Sequence, residues 1–142
     1  MRILLSIKPE FAEKILKGEK RYEFRRAIHS NRSVDIVVIY MTAPIQKIVG
    51  EFRIDSILSD SPDKIWDKTH QFAGISRENY DIYFKSRKLA YALSIGSVTK
   101  YPIPIDPKLT MPSFTPPQSF MYCPLELSNQ TVKNELQIEM AY

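Results

Sequence analysis

The chain of 142 residues has one cysteine, two histidines and four glycines. A lone Cys123 excludes an internal disulfide and suits a reducing compartment. Cys123, His29 and His70 are too few for a tight all-protein zinc site, so no metal is expected. Four scattered glycines build no phosphate-cradling loop, and no cofactor is called for. No apolar stretch approaches the ~20 residues that span a bilayer. No long apolar run follows Arg2, so the start does not read as a secretory signal. These absences predict a cytoplasmic protein with no membrane partner. The length suits one domain with a real core.

What is present is an uneven charge. The chain carries +4 overall. Residues 14–32 alone hold seven Lys/Arg against two Asp/Glu, so the rest of the chain is close to neutral. The basicity is therefore one site rather than a general coating. A pI near 9.1 is compatible with a nucleic-acid partner.

Residues 2–7 form a short apolar run suited to a buried strand. Pro9 fits a first helical turn. Phe11, Ala12, Ile15 and Leu16 share one helical face, with Glu10 early and Lys17 late as the helix dipole prefers. Gly18 is a natural left-handed stop. Residues 22–25 alternate aromatic and charged, which is a strand. Residues 34–40 are nearly all apolar and β-branched, as in a central strand. Residues 45–58 read as a long strand, with Val49 breaking the alternation and Gly50 marking a bulge. Ser61 and Ser76 each open a short helix. Residues 88–98 return to strand. Residues 102–117 hold six of the ten prolines and predict a wrapping loop. Strands that follow one another directly argue for an α+β fold. Its mixed or antiparallel sheet would curl into a small barrel with flanking short helices. Residues 1–122 form the domain, and residues 123–142 an appendage, a short helix or partly disordered.

Four blocks then resemble the ASCH domain family, a branch of the PUA-like superfamily. They are Ser6-Ile7-Lys8-Pro9, the run from Gly18 through Lys20, Glu23, Arg25 and Arg26, the strand pair around Tyr40 and Gly50, and Pro116-Pro117-Gln118-Ser119-Phe120. The resemblance implies a PUA-like barrel whose cleft is lined by the Lys, Glu and Arg positions and binds RNA or a nucleotide. Some small members of the family hydrolyse N4-acetylcytidine. In those, a Lys in a Gly-x-Lys turn acts with a Thr three positions later and a Glu near the second helical region. Lys20 matches the first position, Glu23 replaces the Thr, and residues 69–75 contain no carboxylate.

The residues themselves support a binding site. Glu23 and Arg25 share strand parity, while Tyr22 and Phe24 point to the core. Lys20 joins Glu23 only if the turn persists through it. Lys8, Lys20, Arg25 and Arg26 offer cations for phosphate. Glu23 can accept from an exocyclic amine. Tyr40, Trp66 or Phe120 would stack on a base, and Gln118 and Ser119 would hydrogen-bond the ligand. The plain alternative is a solvated face with an internal Glu23–Arg25 pair, but such pairs contribute only ~0–1 kcal/mol. Three functions follow: a module binding RNA, a nucleotide or a modified nucleoside; an amidohydrolase or other nucleoside-modifying enzyme using Lys20 and Glu23; and a regulatory scaffold. In the last, the closing segment and tail pack on a partner chain, a homodimer included. His29 and His70 read as surface residues, and Cys123 as structural.

Overall fold

The computed structural model describes residues 1–124 and Leu127. The expected appendage over residues 123–142 therefore lies almost wholly outside the described residues. Strand β1 (Arg2–Ile7) leads into helix α1 (Pro9–Leu16), then β2 (Tyr22–Arg25), β3 (Ile36–Met41) and β4 (Lys47–Asp60). Helix α2 (Pro62–Thr69) and α3 (Arg77–Tyr83) flank a 3-10 turn at His70–Phe72. Strand β5 (Ala90–Ile105), α4 (Pro107–Thr110) and β6 (Met121–Tyr122) complete the described chain.

Local sequence explains the helix ends. Pro9 occupies the first turn of α1, Glu10 sits early and Lys14 late, and Ala12 and Ile15 are buried. Gly18 takes φ +80° just beyond the helix, which a residue with a Cβ adopts only under strain. The Ser61 hydroxyl accepts from Lys64 N, and the Ser76 hydroxyl from Asn79 N.

The strands form one sheet in the order β2-β5-β4-β3-β1-β6. Strands β1 and β3 are parallel, and the other pairings are antiparallel. This mixed sheet curls into a half-barrel, the α+β architecture that the element order predicts. Parity sorts its core. Ile3, Leu5, Ile7, Val37, Ile39 and Met41 face one cluster with Ala12 and Ile15 of α1. Leu4, Val38 and Tyr40 face another with Tyr101 and Phe114. A third cluster packs Phe24 and Ala92 against Ile65, Tyr80 and Phe84.

Two expectations are refined here. Between β3 and β4 the partner of Ile39 is Gly50 and the partner of Tyr40 is Ile48, so Val49 is the extra residue. The bulge at this point is why Val49 breaks the alternation. The loop expected over residues 102–117 is corrected. Strand β5 continues through Pro102 and Pro104 to Ile105, and Pro107 opens α4. Strand β2 pairs with β5 only from Tyr91 to Ser94. Past that point one side of β5 is unpaired among the described strands, and two prolines of equal parity can leave their missing N–H there.

Gly50 is where the sheet has least room. A Cβ there would stand 2.5 Å from the Thr99 carbonyl oxygen and 2.9 Å from Leu16 Cδ2. Backbone cannot give way as a side chain does. Gly50→Ala should lower the unfolding free energy by about 2–3 kcal/mol, read from urea denaturation midpoints at constant m-value. An unchanged midpoint would refute this crowding.

Candidate functional site

The site begins with how the chain leaves α1. Glu19 N and Lys20 N both donate to the Lys14 carbonyl, at 2.9 and 3.1 Å. The turn therefore persists through Lys20, and β2 starts only at Tyr22. Arg21 N donates to the Phe72 carbonyl at 2.9 Å, and its guanidinium lies 4.4 Å from the Phe72 ring. These contacts lace the turn to the loop at residues 72–74.

That loop wraps Lys20, which is only 3% exposed. The Lys20 ammonium donates to the Ala73 carbonyl, and Lys14 Nζ donates to the Gly74 carbonyl at 3.2 Å. Gly74 has φ +65°, and a Cβ there would lie 2.6 Å from Lys20 Cβ. Nζ of Lys20 sits 4.7 Å from the Phe24 ring centroid and 5.4 Å from that of Phe11. Ring faces attract a cation at such distances. They replace little of its lost hydration, and burial pulls the Lys20 ammonium down to about 8 against the opposing pull of Glu23.

Glu23 lies opposite Leu93 of β5. Opposed residues share a face, so Glu23 points to the inner surface of the half-barrel. The plain alternative of a solvated face does not hold for Glu23: both faces of β2 are covered, with Phe24 under α3 and Glu23 against the interior. Glu23 is 8% exposed. Its Oε2 is buried without a hydrogen-bond partner. Burial pushes its carboxyl above the ordinary carboxylate range, while Lys20 and Arg25 pull it back.

A cleft of about 380 Å³ opens over these groups. Lys20, Glu23 and Arg25 line it with Lys8 and Phe11, and Tyr83 forms the far wall. Its mouth is fixed by the closing block. The Ser6 hydroxyl donates to the Pro117 carbonyl at 2.8 Å, and Arg25 Nη2 donates to the Ser119 carbonyl at 2.7 Å. Ser119 and Phe120 border a small adjoining hollow with Arg25 and His29. Gln118 is exposed beside them. Arg26 is exposed, and its guanidinium lies 4.7 Å from the Tyr83 ring.

Two candidates lie elsewhere. Tyr40 is 2% exposed and packs 5.3 Å from Phe114, because its parity on β3 faces the opposite core cluster. Trp66 packs 4.8 Å from Tyr80 and does not line the cleft. His29 also departs from its surface reading. It is buried 6.1 Å from Phe120, and burial lowers its pKa. The sequence reading missed Phe11, Ile82 and Tyr83 as cleft walls. Ile82 carried a signal: it falls off the apolar stripe of α3 and is 66% exposed. Among the described residues no three His, Cys, Asp or Glu gather to hold a metal, and no helix is long and apolar enough to cross a membrane.

Comparison with known proteins places this geometry in context. The ASCH domain model matches residues 5–99. An ASCH domain-containing ribonuclease from Zymomonas mobilis is 29% identical over 138 residues, covering 96% of this chain and 93% of that protein. The crystal structure of ASCH from Zymomonas mobilis superposes with a TM-score of 0.84 at 27% identity, over 93% of this chain and 94% of the other. A Ureaplasma parvum protein named large ribosomal subunit protein uL22 is 31% identical over 105 residues, which is 73% of this chain but 33% of that protein.

The buried ammonium sets a pH dependence. Lys20 has a folded pKa of about 8 against an ordinary 10.5. Between those values the unfolded chain binds more protons, so stability rises with pH. The whole shift corresponds to about 3 kcal/mol, of which about 2 is recovered between pH 8 and 10. The window ends there because Tyr80, raised to about 12, begins to subtract stability once the unfolded phenol ionises. Urea midpoints should climb from pH 8 to 10, and Lys20→Met should be more stable at pH 7 with a flat profile. A flat parental profile would mean that the ammonium keeps its water.

Proposed function

The chain belongs to the ASCH domain family, and on that premise we propose that it acts on RNA by taking an unpaired nucleotide into the cleft over Glu23. The observation that carries this reading is the buried, unpartnered Oε2 of Glu23 between two cations. A buried acceptor left without a donor costs about 1–3 kcal/mol, which a ligand N–H would relieve. Exocyclic amines of cytosine, adenine and guanine are such donors; uracil lacks one and offers only its ring N3–H, at a different place on the base edge. The cleft volume is within the range for small-ligand sites. Phe11, Ile82 and Tyr83 supply apolar wall for a base face. Lys8 and Arg25 stand at the opening for phosphate. Ser119 and Phe120 border the adjoining hollow that Arg25 shares, and Tyr40 lines neither.

A second reading adds catalysis. Lys20 is pulled down and Glu23 pushed up, so each sits nearer neutrality than its ordinary value. Two groups tuned in this way suit general acid–base work. The similarity to a protein named as a ribonuclease favours phosphodiester cleavage as the reaction. Hydrolysis of an acylated cytidine has less support. Over residues 69–75 Lys20 meets the Ala73 carbonyl, where the resemblance calls for a carboxylate.

Fluorescence anisotropy with labelled single-stranded RNA at low salt tests the binding. Cytosine- and adenine-rich strands should bind about tenfold tighter than uracil-rich ones, and Glu23→Gln should erase that preference. The same mixtures run on a gel report cleavage. If cleavage occurs, Lys20→Ala should slow it by about a hundredfold or more. Absence of any anisotropy change at low salt would sink the binding reading, and cleavage undiminished in Lys20→Ala would sink the catalytic one.

A further inference from the structure

The turn after α3 carries Lys85, Arg87 and Lys88, all exposed. Among the described residues none of the three has a carboxylate in ion-pair contact, whereas Arg77 on the same helix bridges Asp63 at 2.7 Å and Asp81 at 3.0 Å. Those two acids share a hollow with Arg87 and Lys88 but are already engaged by Arg77. The face is left net positive. Its shape is fixed: Lys85 N donates to the Ile82 carbonyl at 3.3 Å, Arg87 N to the Phe84 carbonyl at 2.9 Å, and Ser86 holds φ 63°.

This turn adjoins the cleft by two routes. Tyr83, a cleft wall, precedes Lys85 by two residues, at most about 7 Å of extended chain. Across the sheet, Arg25 pairs with Tyr91, so Arg26 leaves β2 beside the point where the chain enters β5 from Lys88. Arg26 lies over the Tyr83 ring at 4.7 Å, and so against a wall of the cleft. Lys8 and Arg25 thus line the cleft, Arg26 stacks on its Tyr83 wall, and Lys85, Arg87 and Lys88 follow that wall along the chain.

We propose that the turn at residues 85–88 is a second binding surface for single-stranded RNA, holding the phosphates of nucleotides that flank the one seated in the cleft. The inference rests on the RNA reading above and extends it to a strand of several nucleotides. Backbone contacts of this kind carry no base preference, so the turn contributes affinity while Glu23 contributes choice. Lys and Arg side chains beside an aromatic ring are the usual composition of a single-strand track. Cations after a helix also complement its C-terminal dipole, a local effect that would appear in stability and not in RNA affinity.

The test compares the parent with Lys85→Ala/Arg87→Ala/Lys88→Ala, using labelled cytosine RNAs of about two and about twelve nucleotides, the longer being within known single-strand site sizes. The triple variant should bind the short RNA as the parent does and the long one at least about tenfold more weakly. Its plot of log affinity against log salt should be shallower by about 2, as for three phosphate contacts on a single strand. Lys85→Arg/Lys88→Arg should bind like the parent, and thermal melting checks that each variant folds. Equal affinity of parent and triple variant for the long RNA overturns the second surface alone, as does an equal loss for both lengths. Failure of the parent to bind either RNA overturns this inference together with the cleft reading.

Discussion

Two charges held out of water at the edge of a half-barrel organise the rest of this molecule. Lys20 and Glu23 are both buried, and neither is satisfied in the ordinary way. The ammonium has one carbonyl and two aromatic rings, and the carboxylate has an oxygen with no partner. Such an arrangement opposes folding, because desolvating a charge costs more than weak contacts return. Something must hold it in place. The tie between the turn after α1 and the loop at residues 72–74 does so from one side. The pairing of Glu23 with Leu93 does so from the other.

The sheet topology shows why this strain falls at the mouth and not in the core. Among the described strands β2 is an edge strand paired only with β5, and only over four residues. An edge is the place where a sheet can leave space beside a side chain without breaking a ladder on both sides. The inner face of the half-barrel is filled by α1 against β1 and β3. Near β2 the filling stops, and the cleft begins. Arg25 then ties to the Ser119 carbonyl and Ser6 to the Pro117 carbonyl, so the closing segment holds the mouth in a fixed shape. Preorganisation of this sort lets a ligand gain from contacts already in place, without first ordering a loop.

Much of this was legible in the chain. The order of strands and helices, the two serine caps, the left-handed Gly18 and the charged window all follow from local chemistry and period. The prominence of Glu23 within a basic run was legible too. What was not legible depends on pairing. Tyr40 looked available for stacking, yet β3 has core on both faces and its parity turns the ring toward Phe114. Pro102 and Pro104 argued against strand, and only the early end of β2 makes room for them. His29 sits in a polar stretch, but Phe120, distant in sequence, covers it. Parity along one strand was readable, whereas which neighbour covers each face was not.

On the proposed RNA reading, the burial of Glu23 also constrains how the cleft would discriminate among bases. A carboxylate at the surface would accept from water as readily as from a base, and would select little. A buried one with an empty acceptor position accepts only from a donor that reaches it, so a base lacking that donor leaves the original penalty in place. Discrimination of this kind comes from refusing the wrong partner. It needs the surrounding cations to be strong enough to keep the acid in the acceptor form, and weak enough not to fill the acceptor themselves. Lys20 bears on both conditions: its ammonium is committed to the Ala73 carbonyl, and its charge pulls against the burial that pushes Glu23 up. The aromatic rings on either side of Nζ then have a second consequence. They hold the cation near the acid without supplying a donor to Oε2, which stays buried and without a hydrogen-bond partner.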